Sequence, residues 1–153
     1  MPFALQHDAA LADAGRGRGR TVGRLVLVAI MLAAGIGHFA DTTAFRAQVP
    51  PWFPGRDVVV YVSGVIELAF GVALLVTTAR TRVVVGLLLA AFFIAIFPGN
   101  ISQYVTHADA FGLDSDAKRL IRLLFQPLLV LLALWSTGAS STRTARTSAP
   151  PSR

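Results

Sequence analysis

Four long apolar runs dominate this chain, at about residues 22–40, 58–78, 83–106 and 118–135. Each is close to the ~20 residues a helix needs to cross the hydrocarbon of a bilayer. The bilayer offers no water to bond the backbone, so runs of this kind span it as helices. Hydrophobic residues make up 54% of the chain and charged residues 14%. A soluble domain carries charge at roughly 25% of its positions. Too little polar sequence is left here to coat four apolar helices in water. The expected fold is therefore an all-α integral membrane protein, a four-transmembrane-helix bundle with disordered tails.

The boundaries follow from composition. Residues 1–21 are polar and rich in Gly and Arg, ending in Gly15-Arg16-Gly17-Arg18-Gly19-Arg20, and read as a disordered basic tail. Residues 22–136 form the membrane domain. Residues 137–153 are a Ser/Thr/Arg/Pro tail with no means of building a core. Basic residues before an apolar run also describe a signal peptide, but three more spans follow and no clear cleavage site is visible, so a retained helix is expected. Between the first two spans, Pro50, Pro51 and Pro54 forbid helix. Trp52 and Phe53 beside them suit the headgroup interface. Pro98-Gly99-Asn100 is expected to break the third span, with helix resuming over 101–106. Pro127 should disturb the fourth by costing the carbonyl of Leu123 its bond.

Lys and Arg set the orientation. The N-terminal tail, the turn after span two and the C-terminal tail hold nine, while the two opposite loops with the start of span four hold five. The positive-inside rule then places both termini in the cytoplasm, with Arg80 and Arg82 as topology anchors. The same distribution explains the net charge of +6 through topology and anionic lipid headgroups, so no nucleic-acid partner is expected. The chain has no cysteine, which excludes disulfides, thiol catalysis, Fe–S clusters and haem attached through cysteines. No zinc site, P-loop or activated serine is visible, and no metal is expected.

Glu67 is the only charge in residues 58–78, about 14 Å below the start of its span at ~1.5 Å per residue. A carboxylate at that depth must be paired, protonated or wetted. His38, Asn100, Gln103, Arg119, Arg122 and Gln126 fall in the same outer half of the four-span arrangement. Ser63, Gly64, Glu67 and Gly71 share one helix face, and Ala29, Ala33 and Gly37 form a comparable line of small residues on span one. Asn100, Gln103 and His107 share a face, as do Arg119, Arg122 and Gln126. The expected partner of Glu67 is Arg122, reaching down from a shallower level. Such a network either fixes how the helices assemble, or lines a pocket for a small polar or quinone-like ligand or for protons. His38 reads as a hydrogen-bonding residue at a helix end. Phe92, Phe93 and Phe97 read as packing or lipid-facing residues.

Four motifs in order carry a resemblance. They are Gly35-Ile36-Gly37-His38-Phe39, Val49-Pro50-Pro51-Trp52-Phe53-Pro54, Ser63-Gly64-Val65-Ile66-Glu67 and Phe97-Pro98-Gly99-Asn100. Together they resemble the DoxX family over roughly residues 25–136. The resemblance implies a four-helix protein of the bacterial inner membrane, with His38, Glu67 and Asn100 as important positions. It also implies a redox-linked setting, since some relatives are subunits of a thiosulfate:quinone oxidoreductase. Without cysteine or a metal-ligand cluster this chain holds no redox centre of its own, so a quinone or a partner subunit would supply one.

Three functions are therefore expected to compete. One is a non-catalytic subunit or assembly factor of a membrane redox-linked complex, acting with other subunits or as a homo-oligomer. The second is a quinone-linked oxidoreductase component with its pocket in the outer half of the bilayer. The third is a small-solute or proton transporter.

Overall fold

The computed structural model describes the backbone of residues 2–140 and the side chains of residue 15 and residues 17–140. Five helices follow one another: α1 (Pro2–Ala40), α2 (Thr42–Arg46), α3 (Arg56–Val76), α4 (Ala79–Val105) and α5 (Asp116–Ser136). Four of these are long and apolar enough to cross a membrane, with α1 doing so over Gly17–Ala40. No strand occurs among the described residues. The all-α, four-span expectation holds. Val65, Val76, Leu88, Ile94 and Leu131 are all exposed on the bundle's outside, where only lipid would favour them over polar residues.

The long helices associate as two tight pairs, α1 with α3 and α4 with α5, while α1 also touches α5. Small residues make the first pairing possible. A Cβ built on Gly64 would lie 2.7 Å from the Cβ of His38, and one on Gly35 would lie 3.0 Å from the carbonyl of Gly64. Either would push the backbones apart. Gly71 gives the same clearance to Leu32 one level down. Ala29 and Ala33 are exposed, so the expected Ala29-Ala33-Gly37 line is not the contact. Gly35 is, and Gly37 instead lies under the Phe45 ring. Leu27, Met31, Leu74, Leu89, Phe93 and Ala133 fill the centre of the bundle.

Several other expectations need correction. The first helix begins at Pro2, where a disordered tail was expected over 1–21. Ala4, Leu5, Gln6, Ala9, Ala10, Leu11 and Ala12 are strong helix formers. They extend a helix already nucleated by the span, despite the roughly 1 kcal/mol that each interior glycine costs. Residues 137–140 continue the fold beyond α5, with Thr137 and Ala139 buried, and residues 141–153 of the expected C-terminal tail lie outside the described residues. Pro98 does not break α4, which runs unbroken to Val105. A transmembrane helix tolerates a proline where neighbouring groups and small local adjustments satisfy the backbone carbonyl it frees. Gly99 serves a different need, since a Cβ there would lie 3.2 Å from the Gln48 carbonyl. The short α2 was unforeseen. It is started by Asp41, whose carboxylate accepts from the amide of Ala44 at 3.1 Å.

Only Thr77 and Thr78 separate α3 from α4, and the two helices make little contact. The end of the bundle at this turn is its closed end. Towards the opposite, open end, α3 and α4 part, and the space between them is the site.

Candidate ligand pocket

A cavity of about 520 Å³ opens in the half of the bundle away from the α3–α4 turn. Its wall is mostly apolar, with Met31, Val60, Phe93, Ile96, Phe125 and Leu129 prominent. Into it project the side chains of His38, Gln48, Ser63, Glu67, Asn100, Arg122 and Gln126. Trp52, Phe53, Ala95 and Pro98 belong both to the wall and to the exposed surface. The cavity therefore reaches the outside between α3 and α4, beneath the proline-rich loop. Pro50 and Trp52 of the expected interface loop take part in it, whereas Pro51 and Pro54 are exposed and do not.

Helix crossings position the acid. Gly64 lets α3 approach α1, which brings Glu67, one turn on, to the level of His38. The Glu67 Oε2 is 3.2 Å from His38 Nε2, and both side chains are buried. The ring N–H is not aimed along that line, so the contact is ionic in distance but leaves Oε2 without a directed hydrogen bond. Phe45 of α2 lies over the imidazole at 3.8 Å between ring centres, holding its plane.

Arg122 is not the ion-pair partner of Glu67, contrary to expectation. Its Nη2 donates to Gln48 Oε1 at 2.8 Å, and its guanidinium lies over the Phe111 ring, 5.3 Å from the centroid. The proline-rich loop carries Gln48 to the start of α5 and captures the arginine there. Arg122 still lines the same cavity as Glu67.

Asn100 and Gln126 form the third part. Asn100 Nδ2 donates to Gln126 Oε1 at 2.9 Å, and Gln126 Nε2 donates to the Phe93 carbonyl at 2.7 Å. This chain ties α4 to α5 and uses both ends of the Gln126 amide. Gln103 is buried but does not line the cavity. It donates to the Ala108 carbonyl at 3.4 Å, at the end of α4. His107 has left the helix, at φ 52°, and is exposed, so it shares no face with Asn100. It contacts Asp116 at 2.8 Å. Arg119 is buried and bonded to Asp109 and Asp116, anchoring the preceding loop outside the cavity. In that loop the Lys118 ammonium beside Asp114 holds its carboxyl below the usual carboxylate range.

Several buried polar atoms around the cavity have no hydrogen-bond partner among the described residues: His38 Nδ1, Glu67 Oε2, Gln48 Nε2 and Arg122 Nε. Native interiors satisfy most such groups, and each exception calls for a ligand, a water or a function. No group of three or more His, Asp or Glu side chains among the described residues could hold a metal ion.

A family model described as a domain of unknown function, DUF8561, matches residues 27–137. The chain belongs to that family. No curated protein and no solved structure matches it. The DUF8561 match takes in every cavity-lining residue and leaves out the start of α1. Within the DUF8561 domain, sequence reasoning found six of the polar lining residues and missed Gln48, which in a polar loop looks like any solvated amide. It also missed Phe45, because α2 is too short to leave a periodic signal.

Proposed function

We propose that this protein is a non-catalytic membrane subunit whose outer-half pocket holds a small amphipathic ligand of the quinone type. It would serve a redox-linked complex of the bacterial inner membrane, with both termini in the cytoplasm. The single observation that carries this reading is the cavity of about 520 Å³ with unpartnered polar atoms on an apolar wall. Ligand pockets are of this size and have this division between apolar wall and few polar groups.

A quinone fits the donor set. Its carbonyl oxygens accept hydrogen bonds, and the N–H groups of Arg122 Nε and Gln48 Nε2 are buried without acceptors among the described residues. An isoprenoid tail suits Val59, Ile96 and Phe125 and the way out between α3 and α4. When bound, a quinone supplies the electron-accepting chemistry. The chain's own residues bind and orient its head, and His38 with Glu67 can hold a proton beside it. The DoxX resemblance of the motifs bearing His38, Glu67 and Asn100 supports the same setting.

The test is mild-detergent purification followed by mass spectrometry of the extracted lipids. A stoichiometric quinone that is lost in Arg122→Gln is the expected result. Parent protein that carries no quinone and binds none when it is added would overturn the reading.

The Asn100–Gln126–Phe93 chain favours a second reading, an assembly factor whose polar groups serve only to fix the helices. Partner proteins that co-purify, and fail to assemble when this protein is deleted, would support it.

A further inference from the structure

The polar atoms left unmatched around the cavity are sorted by hydrogen-bonding type. Arg122 Nη2 donates to Gln48 Oε1 at 2.8 Å, and an arginine has no acceptor to offer in return. The contact therefore fixes how the Gln48 amide points, with its oxygen towards Arg122 and its Nε2 left over. Gln48 Nε2 and Arg122 Nε are both buried without an acceptor among the described residues. Both are N–H groups. What remains unmatched on the side of the loop after α2 and of α5 is donors alone.

The side built by α1 and α3 is different. Glu67 Oε2 lies 3.2 Å from His38 Nε2, buried and without a directed hydrogen bond. A carboxylate oxygen accepts and does not donate. His38 Nδ1 is unmatched as well, and takes either role according to its tautomer. Ser63, one turn before Glu67, also lines the cavity, and its hydroxyl serves as donor or acceptor alike. Asn100 and Gln126 do not enter the balance, being committed to each other and to the Phe93 carbonyl.

A ligand that satisfies both sides must accept at one end and donate at the other. A quinone has acceptors only. One carbonyl suits Arg122 and Gln48, but the other would set lone pairs against Glu67 Oε2 and leave that buried oxygen unsatisfied. The hydroquinone keeps both oxygens and adds a hydrogen to each. One O–H can then donate to Glu67 in a charge-assisted bond, while the other oxygen accepts from Arg122 Nε or Gln48 Nε2.

We infer that the cavity selects the reduced, hydroxyl-bearing form of its ligand, a hydroquinone, through Glu67, with Arg122 and Gln48 holding the opposite oxygen. This selectivity rests on the quinone-type ligand proposed above and adds its preferred oxidation state. A preference of about tenfold would raise the potential of the bound two-electron couple by about 30 mV.

The test titrates the purified full chain, in mild detergent and without oxygen, with decylubiquinone, decylubiquinol and the dimethyl ether of decylubiquinol. The ether keeps the ring and both oxygens but has no O–H. The quinol should bind about tenfold or more tighter than the quinone, the worth of one hydrogen bond to a carboxylate. The ether should bind no tighter than the quinone. Glu67→Gln supplies an N–H to which a quinone carbonyl can bond, and should remove most of the preference. Gln48→Ala should weaken quinone and quinol by the same factor, since both present an acceptor oxygen there. Quinone or ether that binds the parent as tightly as quinol overturns the selectivity and leaves the quinone-type pocket standing. Binding of neither form overturns the quinone-type pocket itself. Should Glu67→Gln fail to fold, Glu67→Asp withdraws the acceptor by one methylene and should narrow the ratio. A ratio undiminished in the folded variant would overturn the role given to Glu67.

Discussion

His38 and Glu67 meet inside the bundle at 3.2 Å, on two helices brought together by glycine. The contact sets an imidazole against the carboxylate, where an arginine was expected. Arg122, which cannot lose its charge, lies apart on Gln48.

The pairing can be measured by a double-mutant cycle. His38→Ala and Glu67→Gln should be non-additive by about 0.5–3 kcal/mol in a detergent unfolding assay. The corresponding cycle for Glu67 and Arg122 should give a smaller coupling. A larger coupling to Arg122 would reverse the assignment made from the geometry.

Gly64 should be intolerant of any side chain. A single added methyl already meets the Cβ of His38, so Gly64→Ala should cost about 1–3 kcal/mol through overpacking. The outward-facing Ala33 makes a control, and Ala33→Leu should leave stability within about 0.5 kcal/mol of the parent. Equal losses at the two positions would mean that α1 and α3 do not cross at Gly64.

Gln48 is predicted to matter for ligand binding although it lies in a loop. Gln48→Ala frees Arg122 Nη2 and removes a polar contact from the cavity rim. Loss of that contact is worth roughly 1–3 kcal/mol, about a 5- to 150-fold weakening of quinone binding. Titration of added quinone into the purified variant reads this directly, and an unchanged Kd would remove Gln48 from the site.

Acid should loosen the loop before α5. The Asp114 carboxyl is depressed below 3.8 by the hydrogen bond and charge of Lys118. A folded-state value below the unfolded one contributes stability that is present above 3.8 and lost as pH falls through the lower folded value. The contribution is small because the pair is exposed. Lys118→Met should flatten this part of the stability profile, as read by amide exchange in residues 108–116. An unchanged profile would show that Lys118 does not hold the carboxyl.

The sequence made the four spans legible because bilayer length and apolar composition are properties of single segments. That His38, Glu67, Asn100, Arg122 and Gln126 come to one level of the bundle was legible for the same reason, since distance along a helix is counted directly. Partnership was not. Choosing between His38 and Arg122 for Glu67 depends on which helices adjoin and at what rotation, and Gly35 decides that by meeting Gly64. Small residues at similar spacing, such as Ala29 and Ala33, point the other way, and nothing local separates the two sets. Pro98-Gly99 misled for a related reason. Glycine and proline often mark a break, but here Gly99 makes room for the Gln48 carbonyl while the helix continues.

The division of the bundle into two tight pairs has a mechanical consequence. The cavity wall is shared by α1 and α3 on one side and by α4 and α5 on the other. The pairs are joined at the closed end by the two-residue turn and by the packing of α5 on α1. A small rotation of one pair against the other would open or shut the space between α3 and α4 while both glycine-lined crossings stayed intact. Cavity volume would then respond to lateral pressure in the surrounding lipid. A bound tail between α3 and α4 would work as a wedge, storing in helix separation part of the free energy of its own binding.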